Sequence, residues 1–336
     1  MNVAVIGCGY WGRHIIRNFN NSPNWNLKYI CDNNPLRLEA MAAQYPRVSA
    51  TKNPNDIFKD TNIHAVAIAT PVSTHFELAK RSLLANKHTW VEKPLTAASW
   101  EAEELCEIAE KNSLILHVDH TFVYTPAVQK IKEIIEAGEL GNILYFDSVR
   151  VNLGLFQHDI NVIWDLAPHD LSILEYTVAK KPVSVNAVGK AVIKYGTKSH
   201  ENVAYLTVNF DDDTFAHCHV NWLSPVKIRQ IMIGGDNKML VFDDMNSSEK
   251  IKVYNSGVNI QTNEEIYDTL VQYRTGDMNS PAIRNDEALA VECEHFFECI
   301  KNETKTLTSG ESGLYVVKIL EAANKSLEQS GSLIKL

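Results

Sequence analysis

The sequence predicts an α/β protein in which a parallel-sheet domain is followed by an α+β domain with a large open, mostly antiparallel sheet. Through the first 120 residues, short apolar runs alternate with amphipathic segments, and the runs are continuously apolar, as is typical of parallel strands covered on both faces. After residue 120, strand-like segments follow one another directly. The length of 336 residues fits two domains, which we place at 1–121 and 122–336.

The first domain is predicted to contain five strands with helices between them. The strands are Val3–Ile6, Leu27–Cys31, His64–Ala69, Thr89–Val91 and Leu114–Val118, and the helices cover about 11–20, 35–45, 73–86 and 98–111. Asn86 and Asn112 follow two of these helical patterns directly, a position that is typical of helix C-caps.

The second domain is predicted to begin with a helix over about 126–136, a long strand over 143–153 and a helix over 165–178. Six strands should follow, at 184–193, 203–210, 214–222, 228–234, 239–242 and 250–254, with hairpin-type turns at 211–213 and 234–237. Residues 256–284 are polar and poorly patterned, which predicts a long loop. Two helices, over about 285–301 and 311–329, close the chain.

Composition and charge exclude several function classes. The net charge of −9 without a Lys/Arg-rich run disfavours nucleic-acid binding. No apolar run approaches a membrane span, and the opening MNVAVIGCGYWG lacks the features of a secretory signal. The six dispersed cysteines form no CxxC pair, so we expect reduced thiols in a cytoplasmic protein without a bound metal. His217 and His219 alternate on one strand, where cross-strand packing explains them better than metal binding.

The first candidate site is a glycine-rich turn. Residues 7–12, GCGYWG, form a complete G-x-G-x-x-G between a predicted strand and a helix, and Asp32 ends the next strand 20 residues further on. This arrangement predicts a Rossmann dinucleotide-binding fold. Gly7 would permit the tight turn, Gly9 the approach of the pyrophosphate, and Gly12 the close packing of helix and strand. The helix N-terminus would supply amide donors to the phosphates.

Asp32 decides which dinucleotide the site favours. Its carboxylate can accept hydrogen bonds from the ribose hydroxyls and would repel a 2′-phosphate, so the sequence favours NAD over NADP. Arg37 lies near enough in sequence to keep NADP as the less favoured alternative. A different interpretation is that Asp32 caps a helix beginning at Pro35.

Two further clusters carry candidate catalytic groups. Glu92-Lys93-Pro94 directly follows a buried strand, where ligands gather in open α/β sheets, although a solvated surface lysine is the alternative. Asp165 and His169 share one face of a predicted helix that begins at about Asp165, so the carboxylate could orient the imidazole for acid–base work. The alternative is an N-capping Asp165 with a structural His169. Pro168 would be tolerated in the first turn of such a helix.

Together with Ala69-Thr70-Pro71 and His75, these motifs resemble the Gfo/Idh/MocA family over essentially the whole chain. That family includes glucose–fructose oxidoreductase, inositol dehydrogenase and sugar-nucleotide dehydrogenases. The resemblance implies that Lys93 lies near the nicotinamide and the reacting hydroxyl, that His169 accepts the proton, and that the Lys93–Pro94 bond is cis. Cofactor-binding residues are expected to be Gly7, Gly9, Tyr10, Trp11, Gly12, Asp32, Thr70, Pro71, His75, Glu92 and Lys93. For the stretch around His75, a simple helix start at Ser73 is the alternative.

The resemblance is strongest to the branch that oxidises C3 of UDP-N-acetylglucosamine or its uronic acid. Substrate-binding residues are expected to be Lys93, Tyr124, Asn152, Gln157, Asn161, Asp165 and His169. His158 belongs to the same polar 152–163 loop, and His120, like Tyr124, is a secondary candidate; ordinary loop polarity is the alternative for these residues. The stretches 123–126 and 164–169 depart from the family's pattern, and both border the expected sugar pocket.

The sequence is compatible with two alternative functions and with two assignments of the catalytic base. A dehydrogenase of free sugars or cyclitols is the alternative within enzymes, and a non-catalytic dinucleotide-binding regulator is the alternative outside them. The presence of Lys93, Asp165 and His169 favours an enzyme, because a binding module needs no proton relay. Either Lys93 or His169 could be the base. The resemblance also implies a homodimer or homotetramer assembled through the sheet of the second domain.

Overall fold

The computed structural model of the protein describes residues 1–154, 156–157, 160–194, 200–262 and 269–336. The first eleven elements are β1 (Asn2–Ile6), α1 (Tyr10–Asn21), β2 (Asn26–Cys31), α2 (Pro35–Gln44), β3 (Ser49–Thr51), α3 (Pro54–Lys59), β4 (Ala65–Ile68), α4 (His75–Leu84), β5 (His88–Glu92), α5 (Ser99–Lys111) and β6 (Leu116–Asp119).

The remaining elements run from the middle of the chain to its end. They are α6 (Pro126–Glu136), β7 (Ile143–Leu153), α7 (Val162–Val178), β8 (Pro182–Lys190), β9 (Val203–Phe210), β10 (Phe215–Asn221), β11 (Leu223–Gly235), β12 (Met239–Asp243), β13 (Ile251–Tyr254), β14 (Gly257–Thr262), β15 (Thr269–Arg274), β16 (Met278–Asn279), α8 (Ala288–Asn302), α9 (Gly310–Glu328) and β17 (Ile334–Lys335).

The chain divides into two compact units whose borders differ from the predicted ones. The first unit comprises residues 1–125 and 286–318, and the second comprises 126–285 and 319–336. The sequence analysis cut the chain once, between 121 and 122, and so assigned α8 to the second domain. In the structure α8 belongs to the first unit, because its apolar face packs there. Phe296 stacks on Trp25 with the ring centroids 5.6 Å apart and lies edge-on to Trp90.

The first unit contains the predicted parallel sheet. Its strand order is β3-β2-β1-β4-β5-β6, and every neighbouring pair is parallel. The buried apolar strands confirm the prediction drawn from their continuous hydrophobicity. The sequence analysis missed β3 and α3, because three and six residues are too few to show a clear period.

The second unit contains the predicted open sheet. Its order is β16-β13-β12-β11-β7-β10-β9-β8-β17, with β7 and β10 parallel and every other neighbouring pair antiparallel. Helix α7 packs against β7, β9 and β10. The long loop predicted for 256–284 is wrong in part, since β14 and β15 pair there as a two-stranded ladder and β16 joins the edge of the large sheet.

Helix α7 begins three residues before its predicted start. The side chain of Asn161 accepts a hydrogen bond from the amide of Trp164 and caps the helix, so Val162 is its first residue. Pro168 therefore lies in the second turn rather than the first, and the carbonyl of Trp164 loses its helical donor.

Two whole-chain expectations can be compared with the structure. All six cysteines are free thiols, as expected. Among the described residues, no helix combines the length and the apolar character that crossing a membrane requires.

Candidate active site

Each of the three glycines of the 7–12 turn is required for a different reason. Gly7 has a φ of +103°, and a Cβ there would lie 2.3 Å from the carbonyl oxygen of Ala69. A Cβ on Gly12 would lie 2.0 Å from the carbonyl oxygen of Gly7. A Cβ on Gly9 would meet no protein atom within 4 Å. Packing within the protein thus requires Gly7 and Gly12, whereas the space beside Gly9 is open to a ligand.

The start of α1 provides the donors that a pyrophosphate needs. The helix begins at Tyr10 with Gly9 as its N-cap, and its first turn holds no acidic residue. Amide groups at a helix N-terminus lack partners within the helix and carry partial positive charge, so they favour an anion. The residues present therefore fit a dinucleotide. Tyr10 itself is exposed, whereas Trp11 turns back and donates from Nε1 to Oδ2 of Asp119 at 2.7 Å.

Asp32 lies at the end of β2, where its carboxylate fixes the glycine turn. Oδ2 accepts from the amide of Cys8 at 2.7 Å, and Oδ1 accepts from the amide of Asn34 at 2.8 Å. The alternative that Asp32 caps α2 is wrong, because Asn34 is the N-cap and accepts from the amides of Leu36 and Arg37. Each carboxylate oxygen has a second lone pair for a ribose hydroxyl.

His75 joins two loops at the same edge of the sheet. The ring is buried, with Nδ1 2.9 Å from the carbonyl oxygen of Pro94 and Nε2 2.7 Å from that of Thr70. Burial lowers the pKa of His75, while the two carbonyl contacts oppose that effect. The ring thus holds Thr70 against the Lys93–Pro94 loop, whose peptide bond is cis as the resemblance implied. A short 3₁₀ helix over 72–74 precedes α4, close to the alternative helix start at Ser73.

Several titratable groups gather where β5 and β6 end. Glu92 and Asp119 are register partners at the ends of these strands, followed by the half-buried Lys93 and the buried His120. Burial, and then the charge of Asp119, raise the pKa of Glu92. Burial and the nearby Lys93 lower the pKa of His120 to about 3, so its imidazole is neutral at pH 7. The sequence analysis placed only Lys93 and Glu92 in the cofactor site.

Tyr124, predicted to contact substrate, lies in the core of the first unit. Its hydroxyl is 3.0 Å from Oγ1 of Thr308, which in turn donates to the carbonyl of Val118. Burial raises the pKa of Tyr124. Because its only polar atom is bonded in the interior, we leave Tyr124 out of the substrate site proposed below.

In the second unit, Asp165 and His169 lie one turn apart on α7, and both are half-buried. Oδ2 of Asp165 accepts a 2.9 Å hydrogen bond from Nε1 of Trp222. The alternative that Asp165 caps the helix is wrong, since Asn161 does so. A carboxylate held by an indole and placed on the same helix face as a histidine can orient and stabilise that histidine.

A buried ion pair that the sequence analysis missed anchors α7 beside His169. Arg150 of β7 donates from Nη2 to Oδ1 of Asp170 at 2.7 Å and from Nε to both carboxylate oxygens at 3.1 Å. Both side chains are almost fully buried. A bidentate pair of this kind fixes the orientation of the helix on the sheet.

The predicted polar residues near the end of β7 differ in their surroundings. Asn152 is half-buried, and its Oδ1 is enclosed without a hydrogen-bond partner among the described residues. Asn161 is committed to capping α7 and donates from Nδ2 to Oδ1 of Asn324 at 3.0 Å. Gln157 is half-buried, and His158 lies outside the described residues.

Comparison with known proteins decides the family. Residues 1–120 match the model of an oxidoreductase family with an NAD-binding Rossmann fold, and residues 128–241 match a GFO/IDH/MocA C-terminal domain. The chain belongs to the Gfo/Idh/MocA family. It is therefore an NAD-binding oxidoreductase of sugars or polyols, as the sequence motifs predicted.

Curated relatives span nearly the whole chain. A UDP-N-acetylglucosamine 3-dehydrogenase of Acidithiobacillus ferrooxidans is 28% identical over 326 residues, covering 94% of both chains. Its solved structure has a TM-score of 0.80 at 25% identity, with 98% of each chain covered. A scyllo-inositol 2-dehydrogenase (NAD⁺) of Bacillus subtilis strain 168 is 25% identical, covering 89% of this chain and 86% of the relative.

A solved levoglucosan dehydrogenase in complex with NADH and L-sorbose has a TM-score of 0.84 at 20% identity. The alignment covers 100% of this chain and 98% of the levoglucosan dehydrogenase chain. At that identity the likeness shows a shared fold.

Proposed function

We propose that this chain oxidises a secondary hydroxyl of a nucleotide sugar, at C3 of the ring, with NAD as the hydride acceptor. The observation that carries the proposal is the pair formed by Asp165 and His169, in which the indole of Trp222 fixes the carboxylate. Proton abstraction from an alcohol needs such an oriented base. The similarity to a UDP-N-acetylglucosamine 3-dehydrogenase along 94% of the chain favours the nucleotide sugar and the C3 position.

The cofactor is proposed to lie along the glycine turn, with its pyrophosphate beside Gly9 and the N-terminus of α1 and its ribose hydroxyls on Asp32. When bound, NAD would supply the hydride-accepting chemistry for oxidation of the carbinol carbon. His75, by holding Thr70 and Pro94, keeps the loop that carries Lys93 in place. Direct contact of Thr70, Pro71 and His75 with the cofactor stays a prediction.

Proton transfer and charge stabilisation are assigned to three side chains. His169 takes the proton of the substrate hydroxyl as the general base, and Asp165 stabilises the imidazolium that results. Lys93 stabilises the negative charge that develops on the oxygen as the hydride leaves. The exchange of these two roles between Lys93 and His169 is the alternative assignment. Asn152, with its enclosed and unsatisfied Oδ1 in the described part of the chain, is proposed to bind a sugar hydroxyl.

The test is NADH formation with a panel of UDP-sugars, free sugars and inositols. We expect a rise in absorbance with one UDP-sugar, abolished by Lys93→Ala and unaffected by Lys111→Ala, an exposed lysine at the end of α5. A rise with inositols alone would favour the cyclitol reaction, which the relative from Bacillus subtilis represents. NAD affinity measured by calorimetry would show whether an inactive protein still binds its cofactor.

We also propose that the chain forms a homodimer, or a homotetramer built from such dimers, through the open sheet of the second unit. Val188 of β8 and Tyr205 of β9 are register partners, and Phe215 lies on the same face of the sheet, four residues along β10 from His219, the partner of Tyr205. Each of the three side chains is about half exposed. Apolar side chains exposed on one face of a sheet are typical of an interaction surface. Sedimentation of the wild type should give two or four times the chain mass, and Phe215→Asp should lower the mass. A monomeric wild type would contradict the proposal.

A further inference from the structure

Three carboxyl groups meet in the interior of the first unit. Strands β5 and β6 are parallel neighbours in which Trp90 pairs with His117 and Glu92 pairs with Asp119. The rings of Trp90 and His117 lie 4.2 Å apart, so these residues share one face of the sheet. Because side chains two residues apart point to the same face, Glu92 and Asp119 continue this row at its carboxyl end.

Helix α8 covers this row and adds the third carboxyl. Phe296 packs on Trp90 and His117, and Glu292 lies one turn earlier on the same helix face. Glu292 is 0% exposed, and its Oε1 lies 3.0 Å from Nε2 of His117. A side-chain hydrogen bond with Asp119 is one of the causes that raise the pKa of both Glu92 and Glu292.

The donors around these carboxyls are distributed unequally. Asp119 is 1% exposed and accepts from the indole Nε1 of Trp11 at 2.7 Å and from the hydroxyl of Thr121. Oε2 of Glu92 and Oε2 of Glu292 are enclosed, and among the described residues neither atom has a hydrogen-bond donor. Two carboxyl groups in contact attract each other only when one of them keeps its proton.

Among the described residues, Lys93 is a basic side chain whose charge lowers the pKa of Glu92, but burial and the charge of Asp119 are larger effects and raise it. Burial is the main cause that raises the pKa of Glu92 and of Glu292, and the charge of Asp119 comes next. Burial also lowers the pKa of His117, so the imidazole beside Glu292 is neutral. The other titratable groups acting on these residues are Lys93, His120, Tyr124, Cys293 and His295.

We propose that Glu92 and Glu292 are neutral acids that donate hydrogen bonds to the carboxylate of Asp119, and that Asp119 is the positioning residue of the cofactor site. Trp11 belongs to the glycine turn, and Glu92 directly precedes Lys93. Asp119 thus connects the glycine turn, through Trp11, with the Lys93 loop, through Glu92. Helix α8 covers this buried cluster and contributes Glu292. This inference rests on the proposed function for the role of Lys93 alone.

The first test measures the protons directly and uses no substrate. Infrared spectra of the wild type at pH 7 should contain the carbonyl stretch of protonated carboxylic acids. Glu292→Gln should remove part of that band, because the amide keeps a donor to Asp119 but carries no acid. Glu298→Gln, on the exposed side of α8, should leave the band unchanged. The absence of a protonated-acid band in the wild type would overturn the proposal.

The second test measures positioning through NAD affinity by calorimetry. Asp119→Asn and Trp11→Phe both weaken or remove the same hydrogen bond, so each should weaken NAD binding about tenfold. Trp25→Phe is the matched control, because its indole donates to the carbonyl of Cys293 in the same unit, away from the glycine turn. Unchanged NAD affinity in both Asp119→Asn and Trp11→Phe would refute the positioning role. Because no sugar enters either test, failure of the proposed reaction would be seen separately.

Discussion

The indole N–H of Trp222 donates a 2.9 Å hydrogen bond to Oδ2 of Asp165, a residue 57 positions earlier in the chain. Trp222 is buried between β10 and β11, so its ring cannot turn away without leaving a gap in the core. The carboxylate of Asp165 is therefore held by a rigid group before any ligand binds.

Replacing Trp222 by Phe should lower kcat and leave NAD affinity unchanged. The phenyl ring keeps most of the apolar volume but removes the donor to Asp165, a bond worth about 1.5–3 kcal/mol, or roughly 10- to 100-fold in rate. Initial rates of NADH formation with saturating substrate measure the effect. Trp164→Phe is the matched control, because its buried indole N–H has no partner among the described residues. Equal losses in both variants would contradict a specific role of Trp222.

Alanine at Gly9 and at Gly12 should separate cofactor binding from folding. A Cβ at Gly12 would collide with the carbonyl oxygen of Gly7, so Gly12→Ala should lower the free energy of unfolding by about 1–3 kcal/mol. A Cβ at Gly9 meets no protein atom, so Gly9→Ala should cost less than about 1 kcal/mol yet weaken NAD binding at least about tenfold. Urea unfolding and calorimetry measure the two effects. Full NAD affinity in Gly9→Ala would show that the cofactor does not approach this residue.

Removing one partner of the buried pair of Arg150 and Asp170 should destabilise the protein strongly, whereas replacing both partners by apolar residues should not. Arg150→Ala leaves the charge of Asp170 buried without its partner, which should lower the free energy of unfolding by about 3–5 kcal/mol. The double variant Arg150→Met with Asp170→Leu removes both charges and should recover most of that loss. Chemical denaturation of the wild type, Arg150→Ala and the double variant measures the free energy of unfolding of each. A double variant no more stable than Arg150→Ala would show that packing, and not an unpaired charge, causes the loss.

The stability of the protein should depend on pH through Glu292. Burial raises the pKa of Glu292 in the folded state above its ordinary value of 4.5. Above pH 4.5 the unfolded chain releases this proton while the folded chain keeps it, so stability falls as pH rises toward the folded pKa. Glu292→Gln removes this titrating group. The free energy of unfolding of the variant, relative to that of the wild type, should therefore increase by about 1.4 kcal/mol for each pH unit up to the folded pKa. Denaturation at pH 5, 6 and 7 measures the trend, and parallel curves for the two proteins would contradict it.

The sequence predicted those features of the site that depend on short stretches of chain. The glycine turn, Asp32, the Lys93–Pro94 loop and the Asp165–His169 spacing are each readable within a few residues of one element. The parallel sheet was predictable for the same reason, since each buried strand shows its own continuous apolar run.

The features that the sequence analysis missed depend on contacts between distant residues. His117 and Glu292 are 175 positions apart, and Arg150 and Asp170 belong to a strand and a helix whose register no local pattern reveals. The start of α7 was misplaced because its first three residues are all apolar, whereas the capping side chain of Asn161 sets the boundary.

Helix α8 comes late in the chain but packs in the first unit, and this order affects how the protein can fold during its synthesis. A ribosome completes residues 126–285, a stretch of 160 residues, before it begins the segment 286–318 that covers Trp25 and Trp90. At about 5–20 residues per second, that interval lasts roughly 8–32 s. The nascent dinucleotide-binding half must spend this time with its aromatic surface uncovered, a period in which a chaperone could recognise it.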